Sequence, residues 1–497
     1  MFKNLLRVSL RNLARDKWYS LLNILGLTLG ITFSLFLIFY VKDELSFDRF
    51  HEKADRIYRI NSYIKEPDKD TMHWAITQYP LGPVLKKDFP EVEEAVRFVS
   101  NGKVMYRNGD NRFYIEKVYV VDSNLFRVFT YPLLEGDPNT ALVEPNSMVL
   151  TESIADKYFG KHFGIVGKTL IDIKGKPFKI TGVLKDPPEN SHIRFNILIS
   201  NSTLPKDFAD NWGGFGMITY VLLRPHSDPW AFQRKLLPYY DKYMASIFAE
   251  YKVKIHYQVQ PITSIHLHSD YQGEPEDVGS MTYIYTFSAV ALFMLLIACI
   301  NYMNLTTARS ARRAKEIGIR KVTGSSKRQL VLQFLMESTI CALLALLISL
   351  GLIALLLPSF NTISGKHILF GSLFRPDTLG ILLCIIVFVG LAGGSYPAFY
   401  LSHFNPISVL KGSLSKSSSN ATLRRVLIVL QFTISMTMLI CTLVVYKQLQ
   451  FLRRIDLGFD KAQVVTLAAN TGQDISGKLQ SFKDELASVP GVLSVST

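Results

Sequence analysis

Leu21 to Val41 reads LLNILGLTLGITFSLFLIFYV, with no charged residue in the run. At about 1.5 Å of rise per residue, such a helix crosses a hydrocarbon core of roughly 30 Å. The run lacks the short apolar core and small-residue cleavage site of a secretory leader, so it is read as a retained membrane helix. Four blocks of the same character follow, with cores at residues 283–305, 339–357, 379–400 and 426–446. The fold class this predicts is a polytopic α-helical membrane protein with about five transmembrane helices. An α+β extracytoplasmic domain is inserted between spans 1 and 2, and the start of a second one follows span 5.

Bulk composition agrees. The 497 residues are 48% hydrophobic yet 19% charged, with a formal net charge of +14. That is too apolar for an ordinary soluble protein and too charged to lie wholly in lipid. Cys299, Cys341, Cys384 and Cys441 each fall inside an apolar block, so neither a disulfide framework nor a CxxC metal site is available. Before the first span, Lys3, Arg7, Arg11 and Arg15 recur every four residues opposite Phe2, Leu5, Leu6, Leu10 and Leu13, the pattern of an interfacial helix. An ordinary basic flank fits these residues too.

Short loops rich in Lys and Arg stay inside. The loop after the second block carries Arg309, Arg312, Arg313, Lys315, Arg320, Lys321, Lys327 and Arg328 against the acid Glu316, whereas Asp43, Glu44 and Asp48 follow the first block. The N-terminus is therefore expected in the cytoplasm of a multi-pass protein of the cell (inner) membrane. Residues from about 42 to 280 are expected outside. In that outer segment Ile57 to Asn61 and Val92 to Val99 read as strands, Thr77 to Lys87 as a helix, and Lys168 to Val183 as a hairpin turning at Lys174-Gly175-Lys176-Pro177.

The pattern after the first span begins again after the fifth. Phe47-Asp48, a strand with Ile57-Tyr58-Arg59-Ile60, a helix and Pro90-Glu91-Val92 are matched by Gly458-Phe459-Asp460, Val464-Val465-Thr466-Leu467, a helix around Ser481 to Ala487 and Pro490-Gly491-Val492. On this reading the sequence stops at Thr497 inside a second outer domain, as expected of a C-terminally truncated reading frame lacking the rest of that domain and further spans.

Among the motifs, Ala314-Lys315-Glu316-Ile317-Gly318-Ile319-Arg320-Lys321-Val322-Thr323-Gly324 is the most informative. Its charges can present an ion-pairing surface, Ile317 and Ile319 can fill a partner's groove, and Gly318 and Gly324 let the chain turn. A plain topology-setting loop explains the same residues. Glu337, at the entrance of the third span, is flagged because acids inside membrane segments are functional by default. Gly167-Lys168-Thr169 lacks the first glycine of a phosphate loop, since His162 stands five residues before Gly167. His266-Leu267-His268, read as a strand with Asp270 nearby, offers two metal ligands without a third. A solvated strand end is the better account. No nucleophile elbow or paired-carboxylate site is found, and the basic runs flank spans, which assigns them to lipid headgroups or a cytosolic protein rather than nucleic acid.

The AKEIGIRKVTGSS run resembles the segment between the second and third spans of the FtsX-like permease family, where it docks into an ABC ATPase. Gly394-Ser395-Tyr396-Pro397-Ala398, with Asn405-Pro406-Ile407-Ser408-Val409-Leu410-Lys411-Gly412, is similar to the run closing that family's fourth span. Tyr158-Phe159-Gly160, Gly182-Val183 and Pro188-Glu189-Asn190-Ser191-His192 resemble a MacB-type periplasmic core domain. The resemblance implies a non-enzymatic ABC transporter permease subunit that binds no cofactor itself, ATP being held by a cytoplasmic ABC ATPase dimer. It implies ATPase coupling by Lys315, Glu316, Ile317, Gly318, Ile319, Arg320, Lys321 and Gly324. Further implied partners are a second permease copy or homologue, the lipid bilayer, and a periplasmic adaptor or cargo. Export or extraction of a peptide, lipid, lipoprotein or drug by mechanotransmission is the expected function. The alternatives are a signalling or scaffold protein regulating an extracytoplasmic hydrolase, and a ligand sensor.

The expected division is a cytoplasmic amphipathic helix (1–18), spans at 19–42, 281–306, 333–358, 377–401 and 425–447, and a core domain at 43–280. A coupling loop (307–332), a short outer loop (359–376), a cytoplasmic linker (402–424) and the start of a second outer domain (448–497) complete it.

Overall fold

The computed structural model describes residues 15–308, 321–402, 418–455 and 479–496, with positions 7, 9, 11, 319, 464 and 465. The chain forms two compact units, one of Met1–Asp43 and Thr282–Gln463, the other of Glu44–Met281 and Val464–Thr497.

The first unit is helical. Lys17–Glu44, Met281–Ala308, Lys327–Ser364, Pro376–Ser402 and Ser418–Arg454 are the five expected spans, each containing a stretch long and apolar enough to cross a bilayer. Leu27, Ile31, Leu35, Cys299, Ala342, Ala345, Ile353 and Val389 form the shared core of the first four, and none of the described residues of the fifth is part of it. The third helix is longer than expected, taking up the end of the predicted 307–332 loop and the start of the 359–376 loop. Its N-terminus is fixed by a capping box: Gln329 N–H donates to Ser326 Oγ at 3.4 Å, and Ser326 N–H donates to the Gln329 side chain at 3.0 Å. Gly365, at φ 66°, ends it in the left-handed conformation that glycine adopts without penalty.

The second unit, the head, is built on one sheet. Its strands are β1 (Ile57–Lys65), β2 (Met72–Trp74), β3 (Thr77–Gln78), β4 (Val92–Ser100), β5 (Val104–Asn108), β6 (Asn111–Ile115) and β7 (Val118–Val121). They continue with β8 (Leu133–Gly136), β9 (Ser147–Thr151), β10 (Thr169–Asp172), β11 (Pro177–Leu184), β12 (Ile197–Ser200), β13 (Phe215–Leu223) and β14 (Lys254–Pro261). The order is β14-β1-β13-β4-β7-β12-β9-β11-β10-β5-β6, with β2 beside β1, β3 beside β13 and β8 beside β11. Helices Leu81–Asp88, Glu152–Phe159 and Pro229–Lys235 bury apolar faces against this sheet, giving the α+β head that the sequence predicts. The hairpin is present as β10 paired antiparallel with β11, with Gly175 at φ 81° in its turn. Gly167 leads into strand β10 rather than a helix, its N–H donating to Ile180 O at 2.8 Å, as a turn into the hairpin requires.

Two local expectations fail. The helix read over Thr77 to Lys87 begins only at Leu81, and Thr77–Gln78 is strand β3. Pro80 disfavours helical geometry in the residue before it. Both displaced side chains point inward, Thr77 Oγ1 lying 2.7 Å from Thr219 Oγ1, and Gln78 Oε1 accepting from the Tyr257 hydroxyl at 2.6 Å. His266 and His268 lie on a helix, Ile262–His268, not a strand. Two residues apart on a helix they diverge, and His266 is buried while His268 is exposed. Among the described residues no group of three or more metal-ligating side chains comes together.

Of the second-domain pattern, helix Leu479–Ala487 is present, and Val464 and Val465 are not in a strand. Phe459, Asp460, Thr466 and Leu467 lie outside the described residues, as does most of 1–14.

Candidate coupling elements

Lys315, Glu316, Ile317, Gly318 and Arg320 lie outside the described residues. Their neighbours Ile319, Lys321 and Val322 are helical, and Thr323 N–H closes a turn onto Ile319 O at 3.0 Å. Gly324, at φ 100°, reverses the chain just ahead of the Ser326 cap, a conformation an L side chain rarely adopts. Ile319 and Val322 are 50% and 66% exposed, apolar side chains facing outward beside a cation. Burial, and next the Lys327 charge, hold the Lys321 ammonium below its ordinary pKa.

Glu337 is buried on the third span, with Gln333 Nε2 donating to Oε1 at 3.4 Å. One residue on, Ser338 Oγ donates to Gly390 O of the fourth span at 2.7 Å. The two helices touch here because Gly390 and Gly394 carry no side chain. A Cβ on Gly394 would fall 2.1 Å from Ser338 Oγ and 2.9 Å from Ser338 Cβ, and one on Gly390 would fall 2.6 Å from Thr339 Oγ1. The first and second spans repeat the device, a Cβ on Gly30 falling 2.6 Å from Ala298 Cβ. Ser34 Oγ to Ala291 O (2.9 Å) and Ser349 Oγ to Thr28 O (3.0 Å) add hydrogen bonds between spans. Lipid tails are as apolar as leucine, so helices in a membrane associate through such close approach and hydrogen bonding. In the sequence these contacts are signalled only by the spacings Gly26-x-x-x-Gly30 and Gly390-x-x-x-Gly394.

The head gathers its charges where its chain begins and ends. Asp48, fully buried at φ 59°, accepts from His192 N–H at 3.1 Å and lies 2.8 Å from His192 Nδ1. His192 Nε2 in turn lies 2.6 Å from the Tyr220 hydroxyl. The sequence motifs Phe47-Asp48 and Pro188 to His192 thus meet in one clasp, and Asp48 N–H donating to Asn190 O at 2.9 Å closes it. His51 accepts from Thr130 N–H at 3.1 Å, and burial lowers its pKa to about 4 despite the nearby Asp48 carboxylate. At the other end, Glu274 pairs with fully buried Arg59 at 2.5 Å, and Glu276 bridges Lys117 (2.5 Å) and Arg194 (2.7 Å). Asp270, expected beside the two histidines, lies 3.7 Å from His73 instead.

Residues 20–239 match the family model of the MacB-like periplasmic core domain, and residues 288–406 that of the FtsX-like permease C-terminal domain. The chain is 28% identical over 123 residues to the macrolide export ATP-binding/permease protein MacB of Campylobacter jejuni, covering 25% of this chain and 19% of the relative. It is 23% identical over 351 residues to the pyoverdine export ATP-binding/permease protein PvdT of Pseudomonas entomophila, covering 68% and 50%. The chain therefore spans between about a fifth and a half of these relatives. Among solved structures, a domain described as that of a permease protein from Porphyromonas gingivalis aligns with TM-score 0.40 and 25% identity, over 43% of this chain and 92% of that one. The periplasmic region of MacB from Actinobacillus actinomycetemcomitans aligns with TM-score 0.29 and 17% identity, over 41% and 88%. A MacB-like periplasmic core domain followed on one chain by FtsX-like permease helices makes this protein a member of the MacB/FtsX-like family of ABC transporter permeases.

Proposed function

We propose that the protein is the membrane subunit of an exporter, driven by a separate ABC ATPase dimer that binds the ATP and docks on the stretch between the second and third spans. In this arrangement the N-terminus and that stretch face the cytoplasm, and the head faces the periplasm. Two copies, or one copy and a homologue, make the working permease. ATP-driven closure of the ATPase pushes on Lys315 to Gly324, the spans shift against one another, and the head changes shape to move its cargo by mechanotransmission. Glycine-seamed helices suit such a task because packed interfaces switch between discrete arrangements rather than bending continuously. A periplasmic adaptor extends the path outward.

The observation that carries this reading is the described end of the stretch. Exposed Ile319 and Val322 stand beside Lys321, ahead of a capped helix that runs from Lys327 to Ser364 with Pro358 in its last two turns. Exposed apolar side chains beside a cation are what a groove on a cytosolic partner recognises, and a long helix delivers a push along its length. The test is co-purification with the cognate ATPase. Glu316→Ala with Arg320→Ala is expected to abolish the association while membrane insertion persists, and undisturbed co-purification overturns the reading.

A further inference from the structure

His266 is the point at which the beginning and the end of the head meet. Its Nε2 lies 2.8 Å from Glu44 Oε2, and both side chains are 8% exposed. Its ring lies flat on Phe47, centroids 3.4 Å apart and planes 3° from parallel. Its carbonyl oxygen accepts from Gly279 N–H at 2.8 Å. A Cβ at position 279 would fall 2.8 Å from Glu44 Oε2 and 3.0 Å from His266 Nε2, so any side chain there would push on both members of this contact. Glu44 is the last residue of the first spanning helix, and Gly279 lies two residues before the second begins at Met281. Three contacts of different chemistry, an ion pair, a ring stack and a backbone hydrogen bond, therefore converge from both ends of the head on one residue.

We propose that His266 is a positioning residue that latches the two chain ends of the head to each other. Displacement of the end of the first span then reaches the start of the second through this one residue, its imidazole at one end and its carbonyl at the other, without crossing the sheet. This deepens the transmission reading above and rests on it. A buried carboxylate that loses its partner carries a large desolvation penalty, so Glu44 resists leaving His266. The Gly279 contact is held from its own side, because Glu274 on Arg59 and Ser269, and Glu276 on Lys117 and Arg194, pin the residues leading to it. Neither end can move far while the other stays, since both hold the same residue, Glu44 and Phe47 on its imidazole and Gly279 on its backbone carbonyl.

The test is amide hydrogen exchange on the full chain in lipid nanodiscs, with no ATPase present, so its outcome is independent of whether the ATPase docks. His266→Ala removes the Glu44 and Phe47 contacts and leaves the carbonyl that Gly279 uses on a segment no longer anchored; it is expected to lower protection at least tenfold in residues 44–50 and, through that freed segment, in residues 275–281, with strands β4, β7 and β9 unchanged. Gly279→Ala is expected to act at a distance in the same way, lowering protection in residues 44–50. In a chain whose native cysteines are replaced by serine, Glu44→Cys with Gly279→Cys is expected to restore protection at both ends when oxidised and lose it when reduced. Loss at one end only, loss across the whole sheet, no change, or failure of the oxidised pair to restore protection each overturns the latch.

Discussion

The head and the spanning helices solve the same packing problem with opposite means. In the head, water drives apolar burial, and the sheet can then enclose charged groups such as Arg59, Asp48 and Glu274, provided each has a partner. Among the spans no such drive exists between helix and lipid, and association relies on missing side chains at Gly30, Gly390 and Gly394 and on hydroxyls donating to carbonyls. The lesson is that removing an atom group should weaken the head, whereas adding one should weaken the helices.

The sharpest way to break this contrast is Asp48→Ala. It removes the buried carboxylate that accepts from His192 N–H and lies against His192 Nδ1, and is expected to lower the stability of the head by about 3–5 kcal/mol, each buried polar group left without a partner costing about 1–3 kcal/mol. Urea unfolding followed through Trp74, Trp212 and Trp230 reads it, and an unchanged midpoint refutes the role given to the clasp. Next in size is the pH response of His51. Its proton affinity is depressed to about 4 in the folded head, so the unfolded chain takes up the proton first as pH falls. The stability tied to this group is complete above about pH 6.5 and is lost toward pH 4, amounting to roughly 3 kcal/mol. His51→Gln is expected to flatten that slope in unfolding experiments at pH 4 to 7.

For the helices, Gly394→Val is expected to cost about 1–3 kcal/mol by overpacking against Ser338. Gly380→Ala, where a Cβ meets nothing within 4 Å, is the matched control and should leave thermal unfolding in detergent unchanged. Equal effects at the two positions would erase the contrast. The smallest effect is expected from Ser34→Ala, about 0.6 kcal/mol, because a single hydrogen bond between spans contributes little. A double-mutant cycle with a substitution at Ala291 that shifts the accepting carbonyl reads it.

What was legible in the sequence follows the range of the forces involved. The five spans show in apolar runs because every residue of such a run meets lipid or another helix. Their ends do not, since the Ser326 cap and the extension to Ser364 depend on single local hydrogen bonds. Asp48 and His192 each stood out in a motif, yet 144 residues separate them, and nothing local announces that they pair. His266 was misread because a helix of seven residues after Pro261 is too short to show a period distinct from that of a strand. Glu44 is legible only as an acid flanking a span and Gly279 only as a glycine before the next, and nothing local joins either to His266.

Strands β1 and β14 lie side by side in antiparallel register, Tyr58 opposite Pro261 and Lys65 opposite Lys254. The inserted segment therefore leaves and rejoins the polypeptide at neighbouring points, as a cassette does. An insertion built this way adds a whole folded body to the chain while asking of its neighbours only two entry points set one strand spacing apart.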